Sequence, residues 1–291
     1  MKQFILFIAI CYTLHSSAQN QPADRILYGI ITTDTLLKAP YNAWYKKNYD
    51  EYTINSSVKA RLEAISLKGI KIEAYFGSWC GDSKRELPRF IKVLDEIGFD
   101  KANLHIIALG GSDSLYKQSP QGEEKGKGIY RVPVFIIYRN GVEINRINEF
   151  PVQTIERDLM AILQNEVYVP NYKTFTLVTK WLKEAVLTDS NLSVRGLTNQ
   201  LRSSVSDEYE LNSLAYLLLK QQKQKQALII FRVNAALYPE SANTLSSLGE
   251  AYLETGDKIK AIALLEKSLE YKPSQALIKE ILGLLYRARG L

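Results

Sequence analysis

Cysteine and histidine are scarce in this chain, with two of each in 291 residues. One of each, Cys11 and His15, lies in an N-terminal stretch patterned like an export signal. Met1-Lys2 begin it with positive charge, Phe4 to Leu14 is apolar, and Ser16-Ser17-Ala18 supply small residues before Gln19. The apolar run is too short to span a bilayer, and bulky Ile10 argues against a lipid anchor on Cys11. The expectation is a cleaved signal over 1–18 and a periplasmic or secreted product; a retained anchor is the alternative. No stable membrane insertion is expected after cleavage.

The mature chain then keeps only Cys80 and His105. It can form no internal disulfide, and one thiol with one imidazole cannot build a Cys/His zinc site. No clustered Asp/Glu signature points to a carboxylate metal site, so neither a metal nor another cofactor is expected. A lone thiol in an oxidising compartment is either buried or used. His105 stands in the apolar run "NLHIIAL", read as a strand, and is expected to be a packing residue.

Charge of one sign is not concentrated either. Lys and Arg total 37 against 31 acids, a net +6 that becomes +5 without Lys2. The bases are interspersed with acids, and the densest run, "KQQKQKQ" from Lys220 to Gln226, sits between helical patterns. That distribution suits a solvated surface and argues against nucleic acid as a partner.

What is present is a patterned first half. "GIKIEAYFG" (Gly69–Gly77) has the compact apolar character of a buried strand. Ser78-Trp79-Cys80-Gly81-Asp82-Ser83 follow, and then a helical pattern with Leu87, Phe90, Ile91, Leu94 and Ile97 on one face. Cys80 therefore falls at a strand-to-helix turn, on a helix N-terminus. Free N–H groups and the helix dipole there favour a thiolate over a thiol.

Trp79-Cys80-Gly81 with Pro88 eight residues past the cysteine resembles the active site of the thioredoxin superfamily. "YRVPVFIIYRNGVEINRI" (Tyr130–Ile147) carries a second likeness: Val132-Pro133 resembles the family's cis-proline step, "VFIIY" reads as a strand, and Asn140-Gly141 as a two-residue hairpin turn. "TIERDLMAILQ" (Thr154–Gln164) would be the closing helix. The resemblance covers about 95 residues and implies an α/β thioredoxin-like fold, a central mixed sheet flanked by helices. It implies Cys80 as nucleophile, Trp79 and Pro133 beside it, and Val132, Gly81 and Asp82 as substrate-contacting positions.

The departures shape the chemistry. Ser83 stands where the family has a resolving cysteine, and Asp82 where a proline is common. Ala74 takes the place of a buried proton-shuttling acid, with Glu73 expected on the opposite sheet face. The family's glycine after the second hairpin strand is replaced around Asn148-Glu149, which would bring Glu149 toward Cys80. A C-x-x-S site forms a mixed disulfide but cannot resolve it, so release needs an external thiol or a reductase partner. Ser83 would serve by donating a hydrogen bond to the thiolate.

Upstream, "RILYGII" reads as an edge strand. "PYNAWYKKNYDEY", with Tyr41, Trp44, Tyr45, Tyr49 and Tyr52, reads as a short packed helix or, alternatively, an exposed recognition surface. "SSVKARLEAIS" reads as a helix with Ser57 as its N-cap.

After Val169-Pro170 the pattern turns helical. Leu245, Leu248, Gly249, Tyr252, Gly256, Ala261, Leu265 and Pro273 match signature positions of the tetratricopeptide repeat, and a 34-residue shift reproduces much of the set. Gly249 and Gly283 would let neighbouring helices approach. In such a repeat Tyr209, Asn212, Tyr216 and Asn243 would face the concave groove that binds proteins or peptides. The expected organisation is an extension over 19–56, a thioredoxin-like domain over 57–168, a helical connector over 169–206 and an all-α tetratricopeptide-repeat array over 207–291. The resemblance implies monothiol thiol–disulfide exchange at Cys80 with protein or peptide clients; a redox-inactive chaperone or scaffold acting through the repeats is the alternative.

Overall fold

The computed structural model describes residues 26–189 and 191–290; the expected signal lies outside them. Five strands form one mixed sheet: β1 (Gly29–Ile31), β2 (Ile70–Phe76), β3 (Leu104–Ala108), β4 (Val134–Arg139) and β5 (Val142–Asn148), in the order β1-β3-β2-β4-β5. β2 and β3 run parallel and the other neighbours antiparallel. The β4–β5 hairpin turns at Asn140-Gly141, where both residues have positive φ (52° and 82°), as a tight two-residue turn demands.

The period of two along the strands divides the sheet's side chains. Ile70, Ile72, Ala74 and Phe76, with Ile106, Ala108, Phe135 and Ile137, belong to the larger core. Helices contribute to that core: α1 (Thr33–Leu36), α2 (Asn42–Glu51), α3 (Ser56–Glu63), α4 (Gly81–Glu96) and α5 (Ile155–Leu163). Phe90 of α4 stacks on Phe135 at 3.9 Å between ring centroids. Tyr75, Ile107, Leu109, Val134 and Ile136 belong to a second core, which the connection from β3 to β4 covers with Ile129 and Val132.

A polar clasp fastens that connection to the sheet. Glu73 projects on the Tyr75 side and accepts from Lys127 Nζ (2.5 Å), Tyr75 (2.9 Å) and Tyr138 (2.9 Å). Ser119 and Glu124 tie the connection to itself, through the Ser119 N–H and hydroxyl. The clasp takes Glu73 out of play as a free acid.

Two local expectations are corrected. The N-cap of α3 is Asn55, whose Oδ1 accepts from the N–H groups of Ser57 and Val58; Ser57 lies inside the helix and its hydroxyl donates to the cap. His105 is exposed on β3 rather than packed, because its register turns it out beyond the end of β1. The aromatics of α2 serve packing: Tyr45 is buried, and the hydroxyl of Tyr49 reaches Asp95 (2.8 Å), as that of Tyr52 beyond the helix reaches Glu156 (2.7 Å).

The second half is helical: α6 (Lys173–Lys183), α7 (Val194–Leu201), α8 (Glu208–Lys220), α9 (Gln224–Leu237), α10 (Ala242–Glu254), α11 (Lys258–Glu270) and α12 (Gln275–Arg289). α8 and α10 begin 34 residues apart at Glu208 and Ala242, as do α9 and α11 at Gln224 and Lys258. Leu211, Leu214, Ala215, Leu218, Ala227 and Phe231 share one core with Phe175, Val178 and Trp181 of α6, so the connector helices are built into the array. Among the described residues no helix is long and apolar enough to cross a membrane.

The two halves are joined around the connection ahead of β4. Tyr130 belongs to the helical core, with its ring 5.0 Å from that of Phe175 and its hydroxyl 2.9 Å from Thr179 Oγ1. Asn148 donates to the Asn171 carbonyl and Asn171 to that of Phe150, stitching the end of β5 to the chain entering α6. The sheet end that bears Cys80 therefore lies beside the helical array.

Candidate functional site

Cys80 is the N-cap residue of α4, half-buried, and the free cysteine among the described residues. Its carbonyl accepts the Lys84 N–H, and its N–H donates to Gly77, so the turn that leaves β2 holds it firmly. The thiol points at the Val132 carbonyl, 3.4 Å away. The Val132–Pro133 peptide is cis, and the Pro133 carbonyl accepts the Glu149 N–H at 2.7 Å. A strand-end turn and a proline step more than fifty residues apart are thus brought face to face.

Trp79 is fixed by close backbone approach. Its indole N–H donates to the Leu109 carbonyl at 3.0 Å. A Cβ on Gly77 or Gly111 would lie within 2.6 Å of the indole, so the absence of a side chain at both positions makes room for the ring. Tyr116 packs on Trp79 with centroids 5.2 Å apart, and Lys220 of α8 lies 5.6 Å from the centre of the Tyr116 ring.

The remaining sequence-selected residues separate. Ser83 is fully buried and its hydroxyl accepts the Gly77 N–H at 3.1 Å, so it braces the turn. Asp82 pairs with Arg85 at 2.7 Å. Gly81 is exposed with open space where a Cβ would stand, leaving an approach beside the sulfur. Of the repeat residues, Tyr209 is exposed and its carbonyl accepts from Arg131 Nη2 at 3.4 Å. Asn212 is buried and donates to Ser247; Tyr216 donates to Glu250 at 2.7 Å and Asn243 to Glu208 at 3.1 Å. These three hold α8 against α10.

Four residues at the site carried no assigned catalytic role in the sequence: Tyr116, Lys117, Arg131 and Glu149. Arg131 precedes the Val132-Pro133 step, and its guanidinium binds Glu149 at 3.1 Å and lies 4.8 Å from the centre of the Tyr172 ring. Tyr172 also donates to Glu149. Burial pushes the Glu149 carboxyl above its usual range, with Arg131 pulling it down and Asp82 adding to the rise. Lys117 is buried, donates to the Tyr130 carbonyl at 2.6 Å and lies 4.9 Å from the centre of the Tyr116 ring. Burial first, then the Arg131 charge, pulls its ammonium down to about 8, against the opposing influence of Glu149 and Cys80. Burial and the Cys80 charge push the Tyr116 hydroxyl up, with Lys220 and Arg131 opposing.

Among the described residues, no three His, Cys, Asp or Glu side chains converge to hold a metal ion. The arrangement offers one thiol on a helix N-terminus, a backbone carbonyl beside it, open approach at Gly81 and cations nearby. Compared with known proteins, the chain matches no family model and no curated sequence.

Proposed function

We propose that this chain is an exported, thioredoxin-like protein of monothiol thiol–disulfide exchange, whose tetratricopeptide-like repeats hold protein clients near Cys80. The observation that carries the reading is the seating of Cys80: a half-buried thiol on the N-cap residue of α4, set against the carbonyl of a residue that precedes a cis-proline. The five-stranded mixed sheet and the 34-residue offset of the helix pairs are compatible with the two resemblances.

In the reaction, the Cys80 thiolate attacks one sulfur of a client disulfide. That S–S bond breaks, a Cys80–client disulfide forms, and the second client sulfur leaves as a thiolate. Release requires another thiolate, from the client itself or from a small thiol or reductase, to attack the client sulfur of the mixed disulfide. Cys80 is then regenerated and the electrons have come from the incoming thiol. Ser83 has no sulfur to offer; its hydroxyl oxygen accepts the Gly77 N–H and so supports the turn that carries Cys80. Isomerisation within a client balances without any external reductant.

The test is mass-spectrometric trapping of a mixed disulfide between the mature protein and a peptide carrying one disulfide. The expected adduct is on Cys80, is removed by added thiol and is missing in Cys80→Ala. If the folded protein forms no adduct while Cys80 reacts after denaturation, exchange is refuted. Client capture that survives Cys80→Ala would then identify a binding scaffold.

A further inference from the structure

We propose that Lys117 is a positioning residue for the chemistry of Cys80: its buried ammonium grips the chain leading to the cis-proline and places positive charge near the sulfur. This rests on the reading of Cys80 as a reactive thiol and adds a residue to it.

The geometry is a bracket. Lys117 Nζ holds the Tyr130 carbonyl at 2.6 Å, and two residues later the Val132 carbonyl receives the Cys80 thiol at 3.4 Å. The Tyr130–Val132 segment is thereby fixed from both sides immediately before Pro133. Tyr116, next to Lys117, packs on Trp79, which adjoins Cys80. One dipeptide of the connection therefore reaches both the cysteine's neighbour and the proline step.

Two costs mark the position. Lys117 is a non-glycine residue at φ 54°, in the left-handed region, where side chains are disfavoured. Its side chain is also buried, at 6% exposure, with a carbonyl and a ring for contacts instead of a paired carboxylate. Burying an ammonium so incompletely compensated is unfavourable. A lysine serving only as a spacer would be replaced at less cost by an apolar side chain.

The charged and titratable surroundings are Tyr116 on its own loop and Tyr130 and Arg131 on the facing segment. Glu149 stands beyond β5, Cys80 at the start of α4, and Lys220 of α8 across the Tyr116 ring. Arg131 repels the Lys117 charge, whereas Glu149 and a Cys80 thiolate favour it. By reciprocity a charged Lys117 favours the thiolate. Its folded-state value of about 8 lies below the ordinary 10.5. The ammonium is thus present at neutral pH and is lost as the pH rises through 8.

The experiment compares the iodoacetamide alkylation rate of Cys80 in the mature protein, Lys117→Met and Lys117→Arg from pH 6 to 10. The Met variant is expected to react roughly 3- to 10-fold more slowly at pH 7, the Arg variant at nearly the parent rate. The parent-to-Met ratio should fall toward one above pH 8. Equal rates for parent and Met, or one constant ratio at every pH, would overturn the proposal. Because alkylation needs no client, this outcome is separate from failure to trap a mixed disulfide. Should the Met variant not fold, NMR titration of the Lys117 ε-position decides instead. Its midpoint should drop when Cys80 is capped by iodoacetamide, and an unchanged midpoint would refute the coupling.

Discussion

Gly249 of α10 and Gly283 of α12 stand 34 residues apart, at the same position of the repeat spacing, yet their surroundings differ. A Cβ on Gly249 would stand 2.9 Å from Leu265 Cγ and 3.3 Å from the Ala261 carbonyl, so α10 and α11 approach through that gap. At Gly283 no atom beyond its chain neighbours and its own helix backbone lies within 4 Å of the same point, and its expected role in close helix approach is not seen. Gly249→Ala is therefore expected to destabilise the protein by about 1–3 kcal/mol through overpacking. Gly283→Ala should stabilise it by about 0.5–1 kcal/mol, since alanine is the better helix former. Urea denaturation of the two variants checks both signs. The repeat spacing made both glycines visible in the sequence; only the neighbouring helix gives one of them a packing role. Cys80 was legible from its motif, whereas the left-handed backbone of Lys117 has no sequence signal, lysine being an ordinary residue in any loop.

The connection from β3 to β4 is an element without long regular structure, and the clasp at Glu73 holds it. Burial alone would raise the Glu73 carboxyl, but hydrogen bonds from Lys127, Tyr75 and Tyr138 outweigh it and hold the group below its usual range. A carboxylate depressed by folding stabilises the native state above its unfolded value of 4.5, and that contribution fades as the pH falls through the lower folded value. Glu73→Gln is expected to cost about 1–3 kcal/mol at pH 7, with the gap to the parent closing below about pH 4. Urea midpoints measured at both pH values test this. The alternation of β2 already sent Glu73 to the face opposite Ala74. The partner from Lys127, 54 positions away, depends on the course of the connection.

At the scale of the molecule, Tyr130 is the side chain of the first half most deeply committed to the second. Its ring and hydroxyl are held by Phe175 and Thr179 of α6. Tyr130→Ala should remove about 3–5 kcal/mol of core packing and uncouple the halves. Calorimetry is expected to show one transition for the parent and two for the variant, the sheet and the helical array melting separately. An unchanged single transition would mean that the remaining contacts, among them Arg131 with the Tyr209 carbonyl and Asn148 with the Asn171 carbonyl, suffice for cooperativity.

The sequence by itself determined the local architecture. Compact apolar runs defined β2 and β4, Asn140-Gly141 defined the hairpin of β4 with β5, the apolar stripe defined α4, and the 34-residue spacing defined the helix pairs. These signals are legible because each reports burial or backbone geometry within a few residues of itself. The tertiary structure alone decided which side chains meet at Cys80. It turned Ser83 toward Gly77, buried Asn212 between helices, and gathered Tyr116, Lys117, Arg131 and Glu149 from separate segments. Those meetings span tens of residues and follow the path of an irregular connection, whose backbone turns carry no hydrophobic period to read.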